Sequence, residues 1–418
     1  MAVRPALVDT TPLRTSAVFR RLWIGRAGSA VGGQMTAVAV MFQIWQVTHS
    51  PIWTGAVGVA QAVPLIGLGV FAGAYVDRVD RRRIYLVAAI GQAVGSIVLA
   101  AQAVFGHLPV LGVLAVVAGQ SCFAAVGGPA GRTFIPRLLP PDQVAAGLAL
   151  HRISLQAAVL VGPALGGVAI GAVGVAGCYL IDALTYGLGL YGACGLPAMP
   201  PEGELARPGL RGVADGLSFL ARNPAVRGAL LTDLATTLLS FPISLFPLIN
   251  AQRFDDNPRT LGLFLTAIAV GGTIASLFAG TFTRVARPGV TMLLGSATWG
   301  VALTLFGAIS DRWIGLGLLA VAGAADTIAV VSRSTIAQLS TPDALRGRVA
   351  AAEQIVGQAG PEIGNLRAGL LAHATSGPAA LVSGGLLCVA AVAAVGASTP
   401  ALRRFVTPVE SEPATAGA

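Results

Sequence analysis

The sequence predicts an all-α membrane protein built from two similar six-helix bundles. Three observations predict it. The composition is that of a chain embedded in lipid: 55% of its 418 residues are hydrophobic and 11% charged, with mean hydropathy +0.76, whereas a soluble domain carries about 25% charge. The apolar residues fall into twelve runs, each near the ~20 residues that cross ~30 Å of hydrocarbon. The chain also repeats itself at half its length.

Taken in order, the runs between charged or Pro-Gly breaks place spans at 20–46, 52–76, 84–105, 109–131, 145–170 and 173–196, then at 226–250, 260–283, 289–309, 313–334, 347–373 and 377–399. Lipid satisfies no backbone hydrogen bond, so each span is helical. Even apolarity over such lengths does not suit tilted barrel strands. The organisation predicted is an N-terminal bundle at 1–196, a linker at 197–225, a C-terminal bundle at 226–400 and a disordered tail at 401–418. In the linker, Val213, Leu217 and Leu220 share one helical face, which predicts a short amphipathic helix at the membrane surface. The first 20 residues are polar and basic without an apolar core, so no cleavable leader is expected.

Orientation follows from arginine. All 27 basic residues are Arg, and with the N-terminus inside, the inner segments hold twenty of them and the outer loops three, Arg253, Arg259 and Arg312. That asymmetry predicts that both termini face the cytoplasm. The basic balance therefore reports topology, and no nucleic-acid partner is expected. The four cysteines fall within spans and show no metal-ligand spacing, so neither a metal nor a disulfide is predicted.

The internal repeat is specific. Arg132, Ile135, Leu138 and Pro141-Asp142 recur as Arg333, Ile336, Leu339 and Pro342-Asp343, at an offset of 201. Gly162-Pro163-Ala164-Leu165-Gly166 recurs as Gly360-Pro361-Glu362-Ile363-Gly364, at 198. Gly55 and Gly73 match Gly262 and Gly280, both at 207. Two equivalent bundles that rock about a site between them give alternating access.

Two motifs carry mechanism. Between spans two and three runs Gly73-Ala74-Tyr75-Val76-Asp77-Arg78-Val79-Asp80-Arg81-Arg82-Arg83. Its glycine allows close helix approach, and an acid at a helix end can pair with Arg in one conformation and release it in the other. Gly73, Asp77, Arg78, Arg81 and Arg82 are thus expected to form a conformational latch. In span five, Gly162, Pro163, Gly166 and Gly167 combine a proline kink with a smooth packing face.

The first motif resembles the G-x-x-x-D-R-x-x-R-R loop of the major facilitator superfamily, and the second resembles its antiporter signature, G-P-x-x-G-G. Phe19-Arg20, Gln43 to Ser50, Ala286-Arg287-Pro288-Gly289 and Thr341 to Val349 extend the likeness over nearly the whole chain. They look like the twelve-helix subgroup that contains the enterobactin exporter and other exporters of siderophores, macrolides and secondary metabolites. The resemblance implies the major facilitator fold, two six-helix bundles related by a pseudo-two-fold axis, acting as a monomer in the cytoplasmic membrane. It also implies proton antiport. One departure matters: many proton-coupled relatives carry Arg in mid-span four, where this chain reads Leu114-Ala115-Val116-Val117-Ala118-Gly119-Gln120. Coupling through that residue is excluded.

Ionisable groups inside spans are functional hypotheses, since a charge at the bilayer centre costs about 2.5–3.5 kcal/mol even on a lenient scale. The resemblance implies that spans one, four, seven and ten line the cavity, so Arg26, Gln34, Gln120, Asp233 and Asp326 are candidates to face substrate. Asp326 and Arg333 lie two turns apart on one face, and a neighbour could bridge them. Asp326, Glu362 and Asp182 are the candidate proton carriers, and Glu353 completes the set of buried acids. No nucleotide-binding loop, nucleophile elbow or metal cluster occurs, which speaks against an ATP-driven pump or a membrane enzyme and calls for no cofactor. The function predicted is proton-coupled export of a small organic compound, a siderophore in first place and a drug or macrolide in second. A membrane enzyme or receptor is the distant alternative.

Overall fold

The structure, a computed structural model, describes residues 9–76, 79–106, 108–199, 218–278, 287–342 and 345–406. Among them nine helices are long and apolar enough to cross a membrane. One of these, Pro141–Cys194, crosses twice. Ala17–Thr48 and Arg346–Ala374 have the length but carry more polar groups. Together they make the twelve crossings expected. We number them α1 (Ala17–Thr48), α2 (Pro51–Val76), α3 (Arg81–Phe105), α4 (Val110–Arg132), α5 (141–173), α6 (175–194), α7 (Pro224–Arg253), α8 (Pro258–Leu277), α9 (Pro288–Ala308), α10 (Arg312–Ser340), α11 (Arg346–Ala374) and α12 (Gly377–Ser398). No strand occurs among the described residues.

Helix ends carry local signals. Ser16, Asp80, Asn223, Asn257, Asp311 and Ser376 cap α1, α3, α7, α8, α10 and α12 by accepting from first-turn N–H groups. Pro224, Pro258 and Pro288 open their helices, where a missing N–H costs nothing. Between α5 and α6 there is no loop. The chain turns back at one residue, Gly174, at φ 73° and ψ 177°, a conformation that only glycine enters readily.

Each bundle is held by one well-connected helix. In the N-terminal bundle α1 packs along both α5 and α6, and α3 packs on α4 and on the α5–α6 unit. In the C-terminal bundle α9 packs on α10, α12 and α7, and α8 packs on α10. Phe246, Phe254, Phe264 and Phe306 fill one end of that bundle, with Phe264 ring centroids 5.3–5.6 Å from the other three. Large apolar side chains such as Leu184, Leu277 and Leu294 turn outward. Lipid must cover so apolar a surface.

The linker helix predicted around 212–220 lies mostly outside the described residues. Residues 218–222 are helical, and Leu220 is buried beside Val226 and Leu402. The 401–418 tail is described only to residue 406, and Leu402 is fully buried, so its first residues dock on the bundle.

Candidate functional site

The two bundles meet along two seams, α2 on α11 and α5 on α8. Glycine makes both seams close. A Cβ on Gly55 would lie 2.8 Å from the Asn365 carbonyl oxygen, and one on Gly369 3.3 Å from Ile52 Cα. On the other seam Gly262 lies against the Pro163 carbonyl, and a Cβ on Gly167 would come within 3.0 Å of Arg259 Cα. Gly55 and Gly262, matched in the sequence repeat, thus do the same work at equivalent seams. The remaining glycines of the repeated signature seat helices within each bundle. Gly162 and Gly166 face α1, with Cβ positions 2.5 Å from Gln34 Cβ and 3.0 Å from Met35 Cα; Gly360 faces Thr237 on α7.

At the end of the molecule away from the termini, polar bonds lock the bundles together. Gln46 donates to Asp256. Thr54 donates to the Ser244 carbonyl at 2.8 Å. Ser244 in turn lies where α7 is broken: the helix stops at Ser240, Pro242 follows, and a short 3-10 turn, Ile243–Leu245, leads into Phe246–Arg253. Freed backbone at membrane depth must find partners in protein. Ser244 N donates to Asn365 Oδ1 at 3.0 Å. The Leu239 carbonyl, without its helical partner, accepts from Arg367. Toward the other end the α2–α11 seam opens, and a Cβ on Gly67 would meet nothing within 4 Å, while the α5–α8 seam continues through Gln156, which donates to Thr273 Oγ1 at 3.1 Å.

Above that parting lies a cavity of about 220 Å³, lined from both bundles by Gln34, Thr54, Gln61, Phe241 and Glu362 among others. Glu362 accepts from Asn365 Nδ2 at 3.2 Å. Of the sequence candidates, Gln34 and Glu362 therefore face the space between the bundles.

The other candidates lie inside single bundles. In the N-terminal one, Asp182 accepts from Thr36 at 2.8 Å and Ser96 at 2.6 Å, and Gln120 donates to Ser96 at 3.0 Å. Arg26 donates to the Gly131 carbonyl at 3.0 Å and stands 3.3 Å from His151 Nε2. In the C-terminal one, Arg333 forms an ion pair with Asp233 across α7 and α10. Asp326 and Glu353 lie within electrostatic reach of that pair. Arg333 is thus held by Asp233 from the neighbouring helix.

A two-seamed pair of bundles, closed at one end over a polar cavity, is the geometry of a rocking transporter. The model of the transmembrane secretion effector family matches residues 8–407. The chain belongs to this family. Its relatives include the enterobactin exporters EntS of Shigella boydii serotype 18 and Escherichia coli O139:H28, each 28% identical over 344 residues, 82% of either chain. Among solved structures it resembles the nucleoside transporter NupG, with TM-score 0.74 at 13% identity over 91% of this chain and 98% of that one. It also resembles a POT family transporter in complex with 5-aminolevulinic acid, with TM-score 0.73 at 13% identity over 93% and 97%. The solved structures show the major facilitator fold, and the family match makes the chain a multi-pass membrane transporter and not an enzyme.

Of the expected latch, Gly73 lies in the last turns of α2, and Asp77 and Arg78 lie outside the described residues. Arg82 donates to the Cys194 carbonyl at 2.9 Å, tying the start of α3 to the end of α6. Sequence reasoning missed Asp80, which caps α3 by accepting from Arg82 N at 2.8 Å. It also missed Thr54 and Ser244. The Pro242 break inside an apolar run was the available signal for Ser244.

Proposed function

We propose that the protein exports a small organic compound, a siderophore by first preference, from the cytoplasm by alternating access driven by inward proton movement. The observation that carries this reading is the closure of both seams at one end over a cavity lined from both bundles. The likeness to the enterobactin exporters supports siderophore as cargo. Arginine distribution supports placing both termini inside the cytoplasmic membrane. In that orientation the Gln46–Asp256 end is the outer gate, and this conformation faces inward. Export needs a driving force, and the candidate coupling groups are the intramembrane acids Asp326, Glu362 and Asp182. Asp77, Arg78 and their arginine neighbours would latch the inner end in the opposite state. The transporter would work as a monomer, since each bundle finds its partner within the chain.

The test is secretion by cells that synthesise enterobactin but lack their own exporter. Expression of this chain restores secretion if the reading is right. If secretion stays absent while the same cells gain resistance to macrolides, the cargo is a drug and the siderophore assignment fails.

A further inference from the structure

We propose that Asp182 is the proton-carrying residue of the export cycle and that it exchanges its proton through a separate polar cavity inside the N-terminal bundle. This rests on the coupled-export reading above and names the site within it.

Asp182 is 1% exposed, in the interior of α6. Its two oxygens are treated differently. Oδ2 accepts from two hydroxyls, Thr36 at 2.8 Å and Ser96 at 2.6 Å. Oδ1 is buried and receives no hydrogen bond. The Thr185 side chain also stands at the carboxyl group, so three hydroxyls surround it. The titratable groups around it are Cys178, Tyr179 and Tyr186 on its own helix, and Tyr85 on α3 and Arg26 on α1 further along the cavity. α4 contributes no charged group, only the amide of Gln120 and the hydroxyl of Ser121 among its polar side chains at this cavity. Among the described residues no cation stands beside Asp182, whereas Asp233 has Arg333. Asp182 is thus an intramembrane acid with no ion-pair partner beside it.

The acid also has a route. It borders a cavity of about 150 Å³ with Gln61, Gln92, Gln120 and Tyr186. Gln92, Ala124 and Tyr186 are shared with a second cavity of about 220 Å³ that leads to Arg26 and Ser29. Arg26 reaches Gly131 and His151, at the terminal-bearing end. In the other direction Gln61 and Ala37 are shared with the cavity between the bundles. The step is a simple one. The Oδ1–H bond breaks, a cavity water takes the proton, and the negative charge left on the carboxylate is held by the Thr36 and Ser96 hydroxyls. Protonation from the opposite side reverses it. The proton alone uses the space inside the bundle, and its path meets the substrate's only at the Gln61–Ala37 border of the cavity between the bundles.

The experiment uses the full chain in proteoliposomes, with enterobactin as the probe. Uphill accumulation under an imposed pH gradient and downhill exchange without one are compared for the wild type, Asp182→Asn and Ala124→Phe. The infrared carbonyl band of a protonated carboxylic acid is followed at neutral pH. The expected result is that Asp182→Asn loses uphill accumulation, keeps downhill exchange and loses the band. Ala124→Phe, which fills the junction of the two cavities, slows accumulation and keeps the band. Ser96→Ala, which leaves the acid in place and removes one donor, shifts the band and guards against reading a folding failure as a loss of coupling. Accumulation by Asp182→Asn at the wild-type level overturns the proposal. If the wild type itself gains nothing from the gradient, proton-coupled export falls. The band then decides the site alone: its loss in Asp182→Asn supports a neutral buried acid, and its absence from the wild type contradicts it.

Discussion

Asn365 binds Ser244 twice: its Oδ1 accepts from the Ser244 N–H at 3.0 Å, and its carbonyl accepts from the Ser244 hydroxyl at 2.8 Å. The pair joins the broken α7 to α11, and Thr54 adds α2 from the other bundle. Asn365→Leu leaves a buried N–H unpaired, which costs about 1–3 kcal/mol, and should lower thermal stability. Thr54→Val removes the bond between bundles and the bond of the same hydroxyl to the Pro51 carbonyl at 2.9 Å. It should lower stability less than Asn365→Leu and shift the protein toward opening at this end. Labelling of a cysteine introduced as Met41→Cys, applied from outside, should then rise. Unchanged labelling would show that Thr54 does not hold the gate.

Two glycine substitutions separate packing within a bundle from packing between bundles. Gly166→Leu meets the backbone of Met35, 3.0 Å from the added Cβ, and over-packing of this kind costs about 1–3 kcal/mol. Thermal stability and activity should fall together. Gly55→Leu meets the Asn365 carbonyl across the seam. It should block closure at that end and abolish transport while thermal stability barely changes. Equal stability losses in both variants would contradict the division.

Asp233 and Arg333 form an ion pair buried between α7 and α10. Asp233→Asn strands a buried cation, a change that costs up to about 3–5 kcal/mol. Asp326 and Glu353, within reach, offset part of it. Adding Arg333→Met to Asp233→Asn should restore much of the stability, as thermal unfolding of the four chains of a double-mutant cycle would show. Additive losses would mean the pair does not act as a unit.

The outer loop supplies a pH dependence. Burial raises the pKa of Asp256 above its ordinary 3.8, against the opposing effects of the Gln46 hydrogen bond and of His49. A closed gate that raises an acid's pKa binds more protons than an open one, in which the acid is solvated. Closure is therefore favoured as external pH falls from neutral toward that raised pKa, and is opposed above it. External labelling at Met41→Cys should drop on acidification, and Asp256→Asn should remove the response. A pH response that survives Asp256→Asn would place the sensor elsewhere.

Much of this was legible in the sequence because it is carried by local pattern. Apolar run length gave twelve crossings, and even the broken α7 and the loop-free α5–α6 turn left the count intact. The half-chain repeat pointed at Gly55, Gly262 and the two Gly-Pro-x-x-Gly segments, and the structure puts these glycines at the seams and beside them. Thr54, Ser244 and the Asp182 shell were not legible. Their bonds join residues 190, 146 and 86 positions apart, and nothing local in Thr, Ser or Gln marks such a partner. Asp233 and Asp326 show the same limit. Both are acids on neighbouring helices, and only side-chain placement decides which of them takes Arg333.

Topology is open to a direct check. Reporter fusions after His49, Asp256 and Arg312 should report outside, and fusions after Arg83, Leu205 and Arg404 should report inside. One reversed site would break the orientation on which the inward-facing assignment depends.

The most direct test of the account as a whole is enterobactin uptake into inside-out membrane vesicles whose lumen has been acidified. The account predicts accumulation above vesicles lacking the protein, collapsing when an ionophore dissipates the pH gradient. Uptake no greater than in vesicles without the protein would contradict siderophore export. Accumulation that persists without the gradient would contradict proton coupling.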